Sequence, residues 1–333
     1  MGKRTVPLLF GFPFEEGVAR AVKWALRCAR VWRKMPCIVM KWNRRTFLGL
    51  TAAGLGGTAL GGWGFWHHVT QQAPYAVVVE KYRLRLAHLA PAWQGLRIVQ
   101  ISDLHRSALV PEEYLIECRN HVLALQPDLI VLTGDFLSDD PELSRRQTLD
   151  RYLASLQRIL APLEARWGVM ACLGNHDVAV EPDVISLALR NLGIRVLRDQ
   201  GLVLRHPSAG QLAVVGLRDE LEYPHVDAAF QRIPSDVPKL VLMHQPDAFA
   251  EWKGPDNVLI FSGHTHGGQV NIPGMKNPYL GGPAGGQFRA GVFHAPGRTM
   301  LVNRGLGMIR YPVRFRSAPE ISLVELHARE IHV

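Results

Sequence analysis

Five short apolar segments, each stopping abruptly at an Asp, Asn or His residue, constrain the fold of this chain more than any other feature. They are Leu96–Ser102, Leu129–Thr133, Val169–Leu173, Lys239–Met243 and Val258–Ser262. A short apolar run that ends at a Gly or a polar turn is typical of a buried strand. Helical patterns separate several of these runs, and strands that alternate with helices predict an α/β fold with parallel pairing.

The other elements are weaker in the sequence. Val77–Leu86 alternates apolar with charged residues and predicts a half-exposed strand. Short strands are expected around Val196, Val203 and Val214. The predicted helices are Glu112–Leu125, a segment that follows Arg146 and ends near Leu163, and Pro182–Leu192.

The polar residues that follow the five apolar segments have the chemistry of a metal site. They are Asp103, His105, Asp135, Asn175, His176, Asp177, His244, His264 and His266. In open α/β sheets, ligand sites gather beyond the carboxyl ends of the strands, so we expect the five loops to meet at one rim. One such loop alone would carry little information, but five in order favour a metal site over unrelated polar loops. A ligand set that mixes imidazole and carboxylate groups suits Mn, Fe or Zn better than Ca or Mg. The set contains no cysteine thiolate, so a closed structural zinc site is not expected.

The net charge of +9 first suggests an anionic partner, but its distribution argues against one. Residues 1–45 hold eleven Lys and Arg residues and two Glu residues, whereas the remainder holds 27 basic and 27 acidic residues. The body is therefore neutral, and we expect no binding to nucleic acid. The four cysteines, at 28, 37, 118 and 172, form no disulfide framework, and the last two are expected in the core.

The N-terminus resembles an export signal. Asn43-Arg44-Arg45-Thr46-Phe47-Leu48 is similar to a bacterial twin-arginine motif, although Asn43 stands where Ser or Thr is usual. The run 47–66 contains no charge and is long enough to span a bilayer. We therefore interpret 40–68 as a twin-arginine signal or a transmembrane anchor, recognised by the twin-arginine export machinery. No Ala-x-Ala cleavage site follows Trp66, which favours an uncleaved anchor in the cytoplasmic membrane, with the catalytic domain on its extracytoplasmic side. A buried helix is the alternative, but seven glycines disfavour it.

Residues 1–39 form a basic extension that is unusual before an export signal. Either translation starts at Met40, or 16–34 forms a basic amphipathic helix that lies on a membrane surface. Residues 69–333 are then predicted to form one catalytic domain.

The motifs Asp103-x-His105, Gly134-Asp135, Gly174-Asn175-His176-Asp177, His244 and Gly263-His264-Thr265-His266 together resemble the signature of calcineurin-like metallophosphoesterases. The resemblance covers roughly residues 75–330. The segments 303–307, 312–315 and 319–321 are similar to the membrane- or wall-associated phosphodiesterase branch with twin-arginine signals. Arg106-Ser107 departs from the family pattern, in which a Gly at 107 is usual. The resemblance implies a four-layer α/β/β/α sandwich with a two-metal centre.

Roles for the individual residues follow from this resemblance. It implies a first metal held by Asp103, His105, Asp135 and His266, and a second held by Asp135, Asn175, His244 and His264. Asp135 would bridge the two ions. His176 would lie near the leaving group as a general acid, with Asp177 orienting it. Two divalent ions (Mn, Fe or Zn) would form a clamp for in-line attack by a bridging hydroxide at phosphorus.

The expected activity is hydrolysis of phosphate esters, and phosphodiesterase activity is favoured. A substrate derived from a lipid or from the cell envelope is attractive, because the anchor would place the site near the bilayer. The alternative is a pyrophosphatase of the UDP-diacylglucosamine type, which would need a cytoplasmic domain. A non-catalytic scaffold is disfavoured because every implied ligand is present. The C-terminal arginines 304, 310, 314 and 316 are interpreted as solvated charges on strand faces, with a substrate phosphate contact as the alternative.

Overall fold

A computed structural model describes residues 61–138, 142–208, 210–219, 225–275, 277 and 286–328. The basic extension 1–39 and the first part of the predicted signal or anchor, 40–60, lie outside these residues. The segment that follows includes a π-helical turn, His68–Gln72. Within the described ranges, no helix is both long enough and apolar enough to cross a bilayer.

The strands of the described residues form two six-stranded sheets. In chain order they are β1 (Val78–Leu86), β2 (Leu96–Ile101), β3 (Leu129–Thr133), β4 (Val169–Cys172), β5 (Arg195–Val196), β6 (Gln200–Arg205), β7 (Gln211–Gly216), β8 (Lys239–Leu242), β9 (Val258–Ser262), β10 (Gly291–Ala295), β11 (Arg298–Val302) and β12 (Glu320–Ala328). The first sheet has the order β1-β12-β2-β3-β4-β5, and the second has the order β10-β11-β9-β8-β7-β6.

Five α-helices connect these strands. They are α1 (Glu112–Ala124), α2 (Arg145–Leu160), α3 (Asn175–Val180), α4 (Pro182–Asn191) and α5 (Val226–Phe230). Helix α2 begins at Arg145 because its N-cap residue, Ser144, forms a capping box with Gln147 that satisfies backbone groups at the first turn. Short 3₁₀ turns lie at Pro91–Trp93, Pro246–Phe249 and His266–Gly268.

Three apolar clusters separate the layers and confirm the α/β/β/α arrangement. The two faces of β3 show this, because its side chains alternate between two clusters. Ile130 and Leu132 pack in the cluster that includes residues of α1, α2 and α4. Leu129 and Val131 pack between the two sheets, where Leu240 and Phe261 of the second sheet meet them. The outer face of the second sheet packs in the third cluster with α5 and the turn that follows β8.

The direction of the strands brings the polar loops to one rim. Strands β2 to β5 run parallel in the first sheet, and β7, β8, β9 and β11 run parallel in the second. The predicted strands are confirmed, with ends within a residue or two. The sequence did not predict β10, β11, β12, α3 or α5. Strand β12 pairs antiparallel with β2 and parallel with β1, so the first sheet is mixed.

Candidate metal centre

The loops that follow β2, β3 and β9 hold their polar residues in an unusual backbone conformation. Asp103, His105, Asp135, His264 and His266 all have positive φ, between 45° and 70°. Residues other than Gly adopt this region infrequently, although Asp and His are among those that tolerate it best. Local backbone strain of this kind clusters at functional sites, because the surrounding fold must hold it in place.

One group of side chains comes from the loops after β2 and β9. The Nε2 atoms of His105 and His266 lie 3.0 Å apart, and His266 Nε2 lies 3.5 Å from Asp103 Oδ1. All three residues are buried. The backbone N–H of His264 donates to both oxygens of Asp103 at 3.0 Å, which fixes the carboxylate against the β9 loop.

A second group comes from the loops after β3, β4, β8 and β9. His244 Nε2 lies 3.1 Å from Asp135 Oδ2 and 3.2 Å from Asn175 Oδ1. His264 Nδ1 lies 2.9 Å from the same Asn175 oxygen and 3.3 Å from His244 Nε2. Four polar side chains therefore converge within hydrogen-bonding distance of one another.

Asp135 joins the two groups. Its Oδ2 atom is 3.5 Å from His105 Nε2 in the first group and 3.1 Å from His244 Nε2 in the second. Its Oδ1 atom accepts the backbone N–H of His176 at 2.9 Å. The His176 ring stands nearly perpendicular to the His105 ring, with centroids 4.8 Å apart. His105, Asp135 and His176 also form a group whose ligand atoms converge.

The chemistry of these side chains fits metal ions. Ring nitrogens of His105 and His266 face each other at 3.0 Å, and those of His244 and His264 face each other at 3.3 Å. If both rings of a pair are neutral, two lone pairs point at each other unless a proton or a cation lies between them. Ligands that bind one ion at about 2.1 Å are themselves separated by roughly 3.0–3.4 Å, so the observed spacings match the edges of a coordination shell.

Electrostatics favour neutral imidazoles at both histidines of the β9 loop. Burial lowers the pKa of His264 to about 4, with repulsion from His244 adding to the effect. Burial and the His105 ring hold the pKa of His266 well below its usual range. His244 differs: burial opposes its charged form, but the Asp135 carboxylate raises its pKa well above the usual range. A metal ion beside Asp135 would therefore compete with a proton on His244.

Outer contacts orient two of the rings. His105 Nδ1 lies 2.9 Å from Ser138 Oγ, and His244 Nδ1 lies 2.6 Å from the carbonyl oxygen of Thr133. A bond at Nδ1 of this kind fixes the tautomer that presents Nε2 to a metal. The sequence did not single out Ser138, because its partner is 33 residues away and no local motif marks it.

The carboxylate of Asp177 is buried and binds backbone. Its Oδ1 accepts the N–H groups of Phe136 and Leu137, at 2.8 and 3.2 Å, and its Oδ2 accepts the N–H of Gly174 at 3.0 Å. Burial raises the pKa of Asp177 to about 7, and the charge of Asp135 contributes in the same direction. Asp177 thus fastens the start of α3 to the loop that carries Asp135, in addition to any effect on His176.

Two of the C-terminal arginines are not solvated charges, which corrects that expectation. Arg304 pairs with Glu320 at 2.8 Å and with Glu80 at 2.7 Å. Arg314 is fully buried and donates to the carbonyl oxygens of Arg304, Gly305, Gly307 and Ser317. Burial lowers the pKa of Arg314 to about 10, so it remains a cation at neutral pH. The Arg314 guanidinium thus holds the 303–307 loop, and the backbone N–H of Gly307 in that loop donates to the carbonyl oxygen of Asp103 at 2.6 Å.

A cavity opens beside His244. Its volume is about 570 Å³, within the range of small-molecule sites. Residues after β7 and β8 line it, among them Arg218, Asp219, Gln245 and Trp252. The Gln245 amide donates to both oxygens of the buried Asp219 at 3.1 Å. His244 is therefore the candidate ligand that lines the cavity, and the other lining residues supply apolar, aromatic and charged side chains.

Comparison with known proteins gives consistent matches. The family model described as calcineurin-like phosphoesterase matches residues 96–268. The chain is 30% identical over 292 residues to "Uncharacterized metallophosphoesterase YkuE" of Bacillus subtilis, covering 86% of this chain and 98% of that protein. It is 30% identical over 292 residues to "Phosphodiesterase YaeI" of Escherichia coli, covering 85% and 99%. It is 29% identical over 297 residues to "UDP-2,3-diacylglucosamine pyrophosphatase LpxG" of Chlamydia trachomatis, covering 72% and 85%.

Proposed function

The chain belongs to the calcineurin-like phosphoesterase family and is a phosphoric ester hydrolase, and from this premise we propose that it cleaves phosphodiesters at the rim where its two sheets meet. The observation that carries the proposal is the convergence of the five strand-end loops, with Asp135 between two groups of ligand atoms. The similarity to a relative named as a phosphodiesterase supports the choice of a diester.

We assign two divalent ions, Mn, Fe or Zn, to the two groups. Asp103, His105, Asp135 and His266 would hold the first, and Asp135, Asn175, His244 and His264 the second, with Asp135 shared. The distances that support this division are 3.0 Å between the Nε2 atoms of His105 and His266, and 3.3 Å between His244 Nε2 and His264 Nδ1. When bound, such ions supply Lewis acidity at phosphorus and activate water as the nucleophile.

His176 is assigned as the general acid. Its backbone is held by Asp135 at 2.9 Å, its side chain is only partly buried, and its ring stands beside that of His105. A proton from this ring would neutralise the leaving alkoxide as the bond to phosphorus breaks. Asp177 positions His176 through the backbone, because its carboxylate ties the first turn of α3 to the loop of Asp135.

The cavity beside His244 favours a diester over a monoester. A phosphate monoester has one substituent to place, whereas a diester has two. The volume of about 570 Å³ next to His244 offers room for a second substituent, which Trp252 and Arg218 would contact.

A second candidate is hydrolysis of a nucleotide-linked acylated sugar at its pyrophosphate. The relative named as a UDP-2,3-diacylglucosamine pyrophosphatase favours it, at 29% identity over 72% of this chain. The same cavity would then receive the nucleotide or the acylated sugar.

We also propose that the protein works at the cytoplasmic membrane, through the segment 40–68. Export by the twin-arginine machinery would place the domain on the extracytoplasmic side, where a lipid- or envelope-derived phosphate ester is the expected substrate. The pyrophosphatase alternative requires the opposite side. Fusion of a reporter active only outside the cytoplasm to Val333 would distinguish the two orientations.

The activity is tested with the full-length chain and added Mn²⁺. We expect hydrolysis of bis(p-nitrophenyl) phosphate to exceed that of p-nitrophenyl phosphate, and a parallel assay would use UDP-2,3-diacylglucosamine. Asp135→Asn should lower kcat by roughly 10³-fold, because it weakens both ion sites. The matched control is Asp150→Asn, since Asp150 is exposed on α2 and should change nothing.

The role of His176 has its own test. His176→Ala should lower kcat roughly 10²-fold on the p-nitrophenyl diester, and more steeply on a diester with an alkyl leaving group that needs protonation. The control is His294→Ala on β10, where the ring is exposed. Equal losses on both substrates would refute the assignment as general acid, while full activity of Asp135→Asn would refute the proposed centre.

A further inference from the structure

Six large apolar side chains stand exposed on three segments of the chain. Trp63, Phe65, Trp66, Ile272, Met275 and Tyr311 are between 47% and 66% exposed, and we call them the apolar rim. Single exposed apolar residues are common on proteins and need no explanation. These six differ because the segments that carry them contact one another.

The three segments meet at Phe315. The ring of Phe65 contacts the ring of Phe315 edge-on, with centroids 5.5 Å apart. The backbone of Phe315 bonds to Gln269 and Asn271 at 2.9 Å each. The Gln269 side chain in turn donates to the carbonyl oxygen of Tyr311 at 3.2 Å. Residues 63–66, 269–275 and 309–317 therefore contact one another, and we treat their exposed side chains as one surface.

This surface borders the metal centre. Ser317 Oγ donates to the carbonyl oxygen of His266 at 2.7 Å. The Asn271 amide donates to the carbonyl oxygen of Gly267 at 2.8 Å. The loop that presents His264 and His266 is thus bonded directly to two of the segments that carry the apolar rim.

The charged side chains of this surface are all basic. Residues 61–75, 269–275 and 309–318 contain no Asp or Glu, while Arg310 and Arg316 are exposed among them. Trp and Tyr favour the boundary between water and hydrocarbon, where the ring is buried and the polar atom stays hydrated. Exposed arginines beside them are attracted to anionic lipid headgroups.

We propose that the apolar rim is a membrane-docking surface that inserts into the headgroup layer of an anionic phospholipid bilayer. The last residues of the uncharged run 47–66 include Trp63, Phe65 and Trp66, which belong to the apolar rim. Insertion of that run into lipid would therefore hold the apolar rim next to the same bilayer. Docking would turn the loop of His264 and His266 towards the bilayer. A phosphate ester carried by a lipid would then reach the centre without leaving the membrane.

The test measures which part of the folded domain touches lipid. The full-length chain, with Cys28→Ser and Cys37→Ser, receives one new cysteine by Tyr311→Cys or Met275→Cys. Each is labelled with an environment-sensitive fluorophore; Cys118 and Cys172 are buried and stay unlabelled. The matched control is Leu187→Cys, because Leu187 on α4 is 60% exposed and lies outside the three segments. The protein is reconstituted with phosphatidylglycerol–phosphatidylethanolamine vesicles that contain nitroxide lipids.

We expect labels at 311 and 275 to shift to shorter wavelength and to be quenched roughly threefold or more above the label at 187, as for residues within the headgroup layer. Equal quenching at 311 and 187 would overturn the proposal. A blue shift without vesicles, together with a doubled mass in light scattering, would also overturn it and indicate a second copy of the chain. Thermal unfolding within about 2 °C of the parent shows that each labelled variant is folded. The readout needs no turnover, so it does not depend on the proposed function.

Discussion

Substitution of Gly174 by Ala should move the carboxylate that the two ligand groups share. A Cβ at this position would lie 2.2 Å from Asp135 Oδ1 and 2.7 Å from the Asp135 backbone N, whereas ordinary contacts begin near 3.4 Å. Gly174 has φ of −108°, so an alanine meets no backbone penalty and the effect is purely steric. The carboxylate or the β4 loop must therefore shift by about 1.2 Å, the difference between those two distances.

That displacement is large on the scale of metal ligation. Ligand distances tolerate about 0.2 Å, and a misplacement of about 1 Å in a catalytic group costs roughly 10²-fold in rate. We expect Gly174→Ala to lower kcat by roughly 10²-fold and to reduce bound metal, while destabilising the fold by about 1–3 kcal/mol. Activity with saturating Mn²⁺, metal content by mass spectrometry and thermal unfolding measure the three effects.

The matched control is Gly201→Ala on β6. Its Cβ would lie 2.9 Å from the Ile233 side chain and 3.0 Å from the carbonyl oxygen of Ala229, and none of the candidate ligands is among these nearest neighbours. This variant should lose a similar amount of stability and keep its activity and its metal. If Gly174→Ala keeps full metal content and activity within about threefold of the parent, the close approach of the β3 and β4 loops does not control the site.

Three further changes are expected to have distinct outcomes. Removing metal with a chelator should lower the free energy of unfolding by about 2.7 kcal/mol for each of the two ions, relative to metal at 100 times its Kd, and re-added Mn²⁺ should restore the melting temperature; an unchanged melting temperature would argue against bound ions. Arg314→Met should cost about 3 kcal/mol in urea unfolding, because carbonyl oxygens of the 303–307 loop lose their buried donor; a loss below about 1 kcal/mol would contradict this role. Asp177→Asn should lower the free energy of unfolding by about 1–2 kcal/mol and should also lower kcat, since an amide nitrogen replaces one acceptor of backbone N–H groups; loss of kcat with unchanged stability would contradict this positioning role.

The sequence alone determined the central strands and the loops that end them. Segments such as Leu129–Thr133 and Val258–Ser262 are short, apolar and followed by Gly, so their signal lies within a few neighbouring residues. The meeting of these loops at one edge of the sheets also followed from the sequence, because parallel strands bring their carboxyl ends to the same edge. The candidate ligands could therefore be selected before their distances were known.

Only the tertiary structure decided what depends on partners far along the chain. Strand β12 lies between β1 and β2, more than 200 residues away, and no local pattern fixes that position. Arg314 reads as a solvated charge until the fold surrounds it with carbonyl oxygens that offset its desolvation. The positive φ of Asp103 and His264 has the same origin, since long-range contacts hold a conformation that these residues avoid in an isolated chain.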